Sequence, residues 1–303
     1  MKKLPYLFLA VSLAASDRST VDAKSLRTVA LSGKTAPDTN GAQFGSSLGA
    51  PVLNSVGQTA FVGNLIGAGV TGANNQGIWS ERHGPLSLVV QSGSPAPGGG
   101  DYLGFVGPPT MNSFGRTAFI GFVTDTGGAA IGIAMWSDGE GPLSLVARTN
   151  TTAPGTDVDF TSLGYPSLND AGEVAFYARI PDEPTPDGPA ARTGLWSSAG
   201  GNLELSARDG EPAPGVAGAT FSSVLLFPSH QRMWMTSPLL NSEGTSIFFS
   251  QLNGSMTPRF SLWEHDLSGT RALVLQGDAV PNIANATFFV PGGRSGVNDS
   301  SQV

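Results

Sequence analysis

The chain carries three histidines, His83, His230 and His265, and no cysteine. No two histidines stand at the short spacing that places paired nitrogens on one metal, so neither a zinc centre nor a histidine-based catalytic site is expected. No cofactor is expected either. His265 is followed directly by Asp266, an adjacent pair that reads as a turn. Asp157 and Asp159 offer two oxygens of a calcium loop without the further oxygen ligands and the glycine that such a loop requires. Glu173, Glu204 and Asp209 are the carboxylates that could act on an extracellular polysaccharide, although no spacing singles out a pair.

Binding chemistry has a clearer address. The segment from Phe221 to Met235 holds His230, Arg232 and Trp234, residue types that favour contacts with sugars or protein surfaces. It interrupts a repeat, and insertions in repeats map to loops, which carry binding. A structural reading competes: its apolar residues could lengthen a strand pair or tuck into a satellite cluster. A second insertion, from Pro181 to Pro189, is polar and proline-rich.

The elements that must position these residues announce themselves by repetition. Four copies of one motif run Asn54-Ser-Val-Gly57-Gln-Thr-Ala60-Phe61, Asn112-Ser-Phe-Gly115-Arg-Thr-Ala118-Phe119, Asn169-Asp-Ala-Gly172-Glu-Val-Ala175-Phe176 and Asn241-Ser-Glu-Gly244-Thr-Ser-Ile247-Phe248. A fifth begins at Asn298, so successive asparagines lie 58, 57, 72 and 57 residues apart. Each full copy has a tryptophan (Trp79, Trp136, Trp196, Trp263) followed 18 residues later by a proline (Pro97, Pro154, Pro214, Pro281).

One unit reads as four short strands. An alternating strand such as Leu86 to Gln91 is rich in β-formers and ends near a Gly or Asn four residues before the repeat proline: Gly33, Gly93, Asn150, Gly210 and Gly277. Those residue types enter the left-handed region most cheaply, which predicts a positive-φ turn. A Phe-containing stretch then leads into Asn-x-x-Gly, whose composition fits a type I turn with an asparagine cap and a glycine bulge. The Ala-Phe strand, apolar on both faces, suits a strand sandwiched between layers, and the Trp segment supplies another strand.

Composition agrees. Forty-one glycines and twenty-two prolines accompany 40% apolar residues, a pattern of many short strands and tight turns around a large core. The fold class is all-β: a β-propeller-like tandem repeat of about 57 residues with four short strands per unit, a β-solenoid being the alternative. With units starting near Arg27, Leu86, Leu143, Leu203 and Arg271, four are full and a fifth is partial, which reads as truncation of a longer protein. Residues 24–303 form a single repeat domain.

Residues 1–23 read as a signal peptide: Lys2 and Lys3, a mostly apolar run from Leu4 to Ala15, and small-residue cleavage contexts ending at Ala14 and Ala23. Its 12 residues fall short of the roughly 20 that span a bilayer. Export is therefore expected, with no membrane span in the mature chain. The formal charge of −7 excludes nucleic acid as a natural partner, because nucleic acid demands a basic patch.

The N-x-x-G-x-x-A-F units behind a signal peptide resemble the bacterial choice-of-anchor tandem repeat NxxGxxAF-containing proteins over residues 26–303. The resemblance implies export and attachment at the cell surface and supplies no catalytic residues. Ile247 departs from the family's alanine, and no sorting anchor appears within the sequence. The expected function is an exported structural or interaction module that takes surface glycan or protein. An enzyme acting on extracellular polysaccharide is the alternative.

Overall fold

A computed structural model describes residues 7–10, 26–124, 131–181, 191–224, 237–254 and 260–288. The chain divides into two compact units, Met1–Leu145 and Val146–Val303. Among the described residues there is no helix.

The first unit opens with β1 (Leu7–Ala10) paired antiparallel to β2 (Arg27–Leu31). Its first sheet contains β3 (Gln43–Leu48), β4 (Val52–Leu53), β5 (Thr59–Ile66), β6 (Gln76–Ser80) and β7 (Ser87–Gln91). The order is β3-β5-β6-β7, with β4 continuing β3 along β5. The second sheet, β8 (Tyr102–Met111), β9 (Thr117–Thr124), β10 (Ile131–Ser137) and β11 (Ser144–Arg148), has the same order.

The second unit repeats the plan twice. Its sheets are β12 (Ser162–Leu163), β13 (Ser167–Leu168), β14 (Val174–Pro181), β15 (Ala191–Ser197) and β16 (Glu204–Arg208), then β17 (Thr220–Ser223), β18 (Leu239–Leu240), β19 (Ser246–Asn253), β20 (Phe260–Asp266) and β21 (Gly269–Leu275). Each is an antiparallel meander within one repeat.

The grouping of strands corrects the sequence reading in phase. The alternating strand does not open a unit; it is the fourth strand of the sheet whose Trp strand precedes it, as in Trp79↔Leu88 and Trp196↔Leu205. A short turn joins the two, so hairpin pairing with the preceding strand costs little loop closure. β2 thus has a fourth strand's sequence but pairs with β1, and β21 completes the fourth sheet. Of the fifth unit, the described part is the turn whose Ala279 bridges Thr287.

Both turn predictions hold. Gly33, Gly93, Asn150, Gly210 and Gly277 all have positive φ. The four N-x-x-G glycines do too, and each donates its N–H to its asparagine's carbonyl at 3.0–3.1 Å. The central strands are buried on both sides: Ala60, Phe61, Ala118, Ala175, Phe176 and Phe248 are inaccessible to solvent. Within the first unit, Ile78 and Val90 of the first sheet share a core with Tyr102, Phe105 and Phe119 of the second. Within the second unit, Tyr177, Leu195 and Ala207 share one with Phe221, Phe248 and Trp263. In each unit the two larger sheets therefore pack face to face, which is what strands apolar on both faces require, and in the first unit β2 adds Ala30 to the core of Phe44, Phe61 and Trp79.

Candidate functional site

The repeated polar residues meet where one sheet packs on the next. Each motif asparagine is buried. Asn54 Oδ1 accepts from the N–H groups of Val56 and Gln58, capping its own turn at 3.2 and 2.9 Å. Its Nδ2 donates to the Asn112 carbonyl of the next repeat, 3.1 Å away. In the second unit Asn169 Nδ2 donates to the Asn241 carbonyl at 2.8 Å. One carboxamide thus closes a turn and ties it to the following turn, satisfying polar atoms that burial would otherwise leave costly.

The motif glycine has a second duty. A Cβ on Gly115 would lie 2.8 Å from Arg82 Cα, and one on Gly244 would lie 3.0 Å from Ala199 Cβ. Close approach to the preceding sheet and positive φ both demand glycine here.

The tryptophans are fully buried against a Phe or Tyr in, or two residues before, the sheet's first strand, with centroids 4.6–4.9 Å apart. Trp79, Trp136 and Trp196 donate Nε1–H to the carbonyls of Pro37, Pro97 and Pro154 at 3.0–3.2 Å. The proline that matters is the preceding one; the 18-residue spacing to the following proline is only the repeat's phase. Trp263 differs, donating instead to Ser261 Oγ at 2.7 Å. Ser261 stands where the first and third sheets have Gly77 and Gly194, under the indole, so its hydroxyl reaches the nitrogen first.

A carboxylate–arginine clamp escaped the sequence reading. Glu81 and Asp138, each two residues after a tryptophan, are buried. Glu81 accepts from Thr59 N at 3.0 Å and Oγ1 at 2.5 Å, and from Arg27 Nη2 at 2.7 Å. Burial would raise the Glu81 carboxyl, but the Arg27 and Thr59 hydrogen bonds outweigh it and hold the group below its usual range. Asp138 accepts from Thr117 N and from Arg82 Nη1 of the preceding sheet. The available signal was an acid at one repeat position with an arginine 54 or 56 residues earlier, close to the period.

Beside this clamp, between the hairpins β6–β7 and β10–β11, lies a cleft of about 190 Å³. Arg82, His83, Ser87 and Asp138 are among its polar lining residues, and Val89, Pro142 and Leu143 among its apolar ones.

The carboxylates named from sequence serve the scaffold or lie apart. Glu173 accepts from Asn169 Nδ2 at 2.7 Å and Gly200 N at 3.3 Å. Asp209 accepts from Thr193 N and Val224 N at 3.0 and 2.7 Å. Glu204 begins β16 and Asp209 follows its end, about 16 Å away at strand rise. His265 Nδ1 meets Thr270 Oγ1 at 2.8 Å, and Thr270 donates to the Ser206 carbonyl at 2.9 Å. The Thr270 hydroxyl proton is thereby committed, so Nδ1 must carry the imidazole proton. Burial lowers the His265 pKa against the opposing charges of Asp266 and Glu204. Among the described residues no three His, Asp or Glu side chains gather as a metal would need. His230, Arg232 and Trp234 lie outside the described residues, as do 182–189 of the other insertion.

Fold and site together define an all-β protein of stacked antiparallel sheets whose repeated polar residues hold neighbouring strands and repeats. The chain belongs to a family of unknown function (DUF7453), whose model matches residues 23–303. No curated protein matches it.

Proposed function

We propose that this chain is an exported repeat module, β-propeller-like, that binds or scaffolds surface glycan or protein at or outside a bacterial cell. The observation that carries the reading is the use of the repeated polar side chains. Asn54, Asn169 and Asp138 bond across repeats, Glu81 holds Arg27 to its sheet, and the Trp79, Trp136 and Trp196 nitrogens close three of the sheets on themselves. Residues that repeat in this way build a surface rather than a reaction centre. The antiparallel meander within each repeat supports a blade over a solenoid coil, which would pair its strands with the next coil. The basic, apolar and small-residue order of residues 1–23 supports export.

The test is fractionation of cells expressing the full chain, with N-terminal sequencing, followed by a screen of the purified protein on glycan and surface-protein arrays. Cleavage after Ala14 or Ala23 and saturable capture of a glycan or protein are expected. Cytoplasmic retention of the uncleaved chain would refute export. Turnover of a polysaccharide without stable capture would replace the module with an enzyme.

A further inference from the structure

The cleft beside Asp138 has the chemistry of a small acid-binding site. Arg82 gives Nη1 to Asp138 and, among the described residues, makes no other side-chain bond, which leaves the parallel N–H groups of its Nε–Nη2 edge unused. Its side chain keeps 23% of its exposure. That edge of a guanidinium matches a carboxylate bidentately. His83, exposed beside it, offers a further ring nitrogen. The apolar lining of Val89, Pro142 and Leu143 can cover the C–H face of a ring. At about 190 Å³ the cleft is smaller than the roughly 300–1,000 Å³ that takes a drug-sized ligand, and suits one sugar residue.

We propose that this cleft binds a uronate residue of an acidic saccharide, the carboxylate lying on the Nε–Nη2 edge of Arg82 and the pyranose against the apolar lining. The inference rests on the binding-module reading above and names its ligand class. In a chain of net charge −7, an anionic polymer needs a local cationic foothold; the Arg82 charge is matched by Asp138, and the added positive charge comes from Arg116, whose Nη1 is held by the carbonyls of Asp138 and Gly139 at 2.9 and 2.7 Å.

Titrating the full chain with glucuronate and with glucose by calorimetry or ligand-observed NMR tests it. Glucuronate should bind saturably and more weakly as salt rises, and glucose should not bind. Arg82→Lys keeps a cation for Asp138 but loses the planar fork, and should weaken glucuronate about tenfold or more. Circular dichroism of that variant should match the parent, so that the loss is read on folded protein. Absent glucuronate binding, equal binding of the two sugars, or unchanged affinity in Arg82→Lys would each overturn the proposal. If an array ligand were still captured in that case, the module reading would survive; if nothing were captured, both would fall.

Discussion

The two units solve one problem with different atoms. The first residue of each central strand has a buried N–H or hydroxyl that needs an acceptor at the end of the Trp strand. In the first unit Glu81 and Asp138 provide it for Thr59 and Thr117, and each carboxylate then requires an arginine, Arg27 or Arg82. In the second unit Ser198 Oγ accepts from Val174 N at 2.8 Å, and no charge follows. In the fourth sheet His265 takes the corresponding place, and the Ser246 hydroxyl is buried without a partner. The backbone's demand is constant, whereas the choice of acceptor decides whether a sheet also needs a cation. A neutral acceptor gives local closure; a charged one can recruit the neighbouring sheet.

The sharpest break in this comparison is Arg82→Ala, which leaves Asp138 charged and buried. We expect a loss of about 3 kcal/mol, at the lower end for a broken buried pair because Arg82 is partly exposed. Urea unfolding checks it, and a loss below about 1 kcal/mol would mean that the clamp is ornamental. Next in size, Gly194→Ser places in the third sheet the hydroxyl that the fourth carries. Its Cβ would meet Trp196 Cη2 at 2.7 Å, so a loss of about 2 kcal/mol is expected, with the indole shifted from Pro154 in a crystal structure.

The acid response should separate the acceptors further. The folded Glu81 pKa lies below its unfolded value of 4.5, so its stabilisation is complete above that value and disappears as pH falls through the folded pKa. Glu81→Gln should flatten stability against pH in that window, whereas Ser198→Ala should lower stability by a similar amount at every pH. Parallel curves for Glu81→Gln and the parent would remove the charge from the account. The smallest effect is a gain. Tyr102 occupies the place of Phe44, Phe160 and Phe221, and its buried hydroxyl has no partner. Tyr102→Phe should raise stability by about 1 kcal/mol, read as a higher Tm.

Much of this was legible in the sequence because backbone geometry writes directly into residue type. Positive φ left glycine or asparagine at Gly33, Asn150 and Gly244, and burial on both faces left Ala-Phe in the central strands. Partner choice was not legible in the same way. The tryptophan–proline spacing recurs with the period whichever proline is bound, so Pro97 could not be told from Pro37 as the acceptor for Trp79. The clamp acids differ between Glu and Asp and give way to Ser198, which hides a position that only the Thr59 and Thr117 N–H groups define. Arg82, the residue on which the cleft turns, looked like any surface cation next to a histidine.

The asparagine bridge also gives each unit a direction. Asn54 donates forward to Asn112, and Asn169 forward to Asn241, so every joint of this kind has a giving and a receiving side. A duplicated repeat inserted in frame would arrive with both halves of the joint already encoded, able to accept from the copy before it and donate to the copy after. Lengthening a unit by gene duplication would then reuse a joint that the unit already encodes.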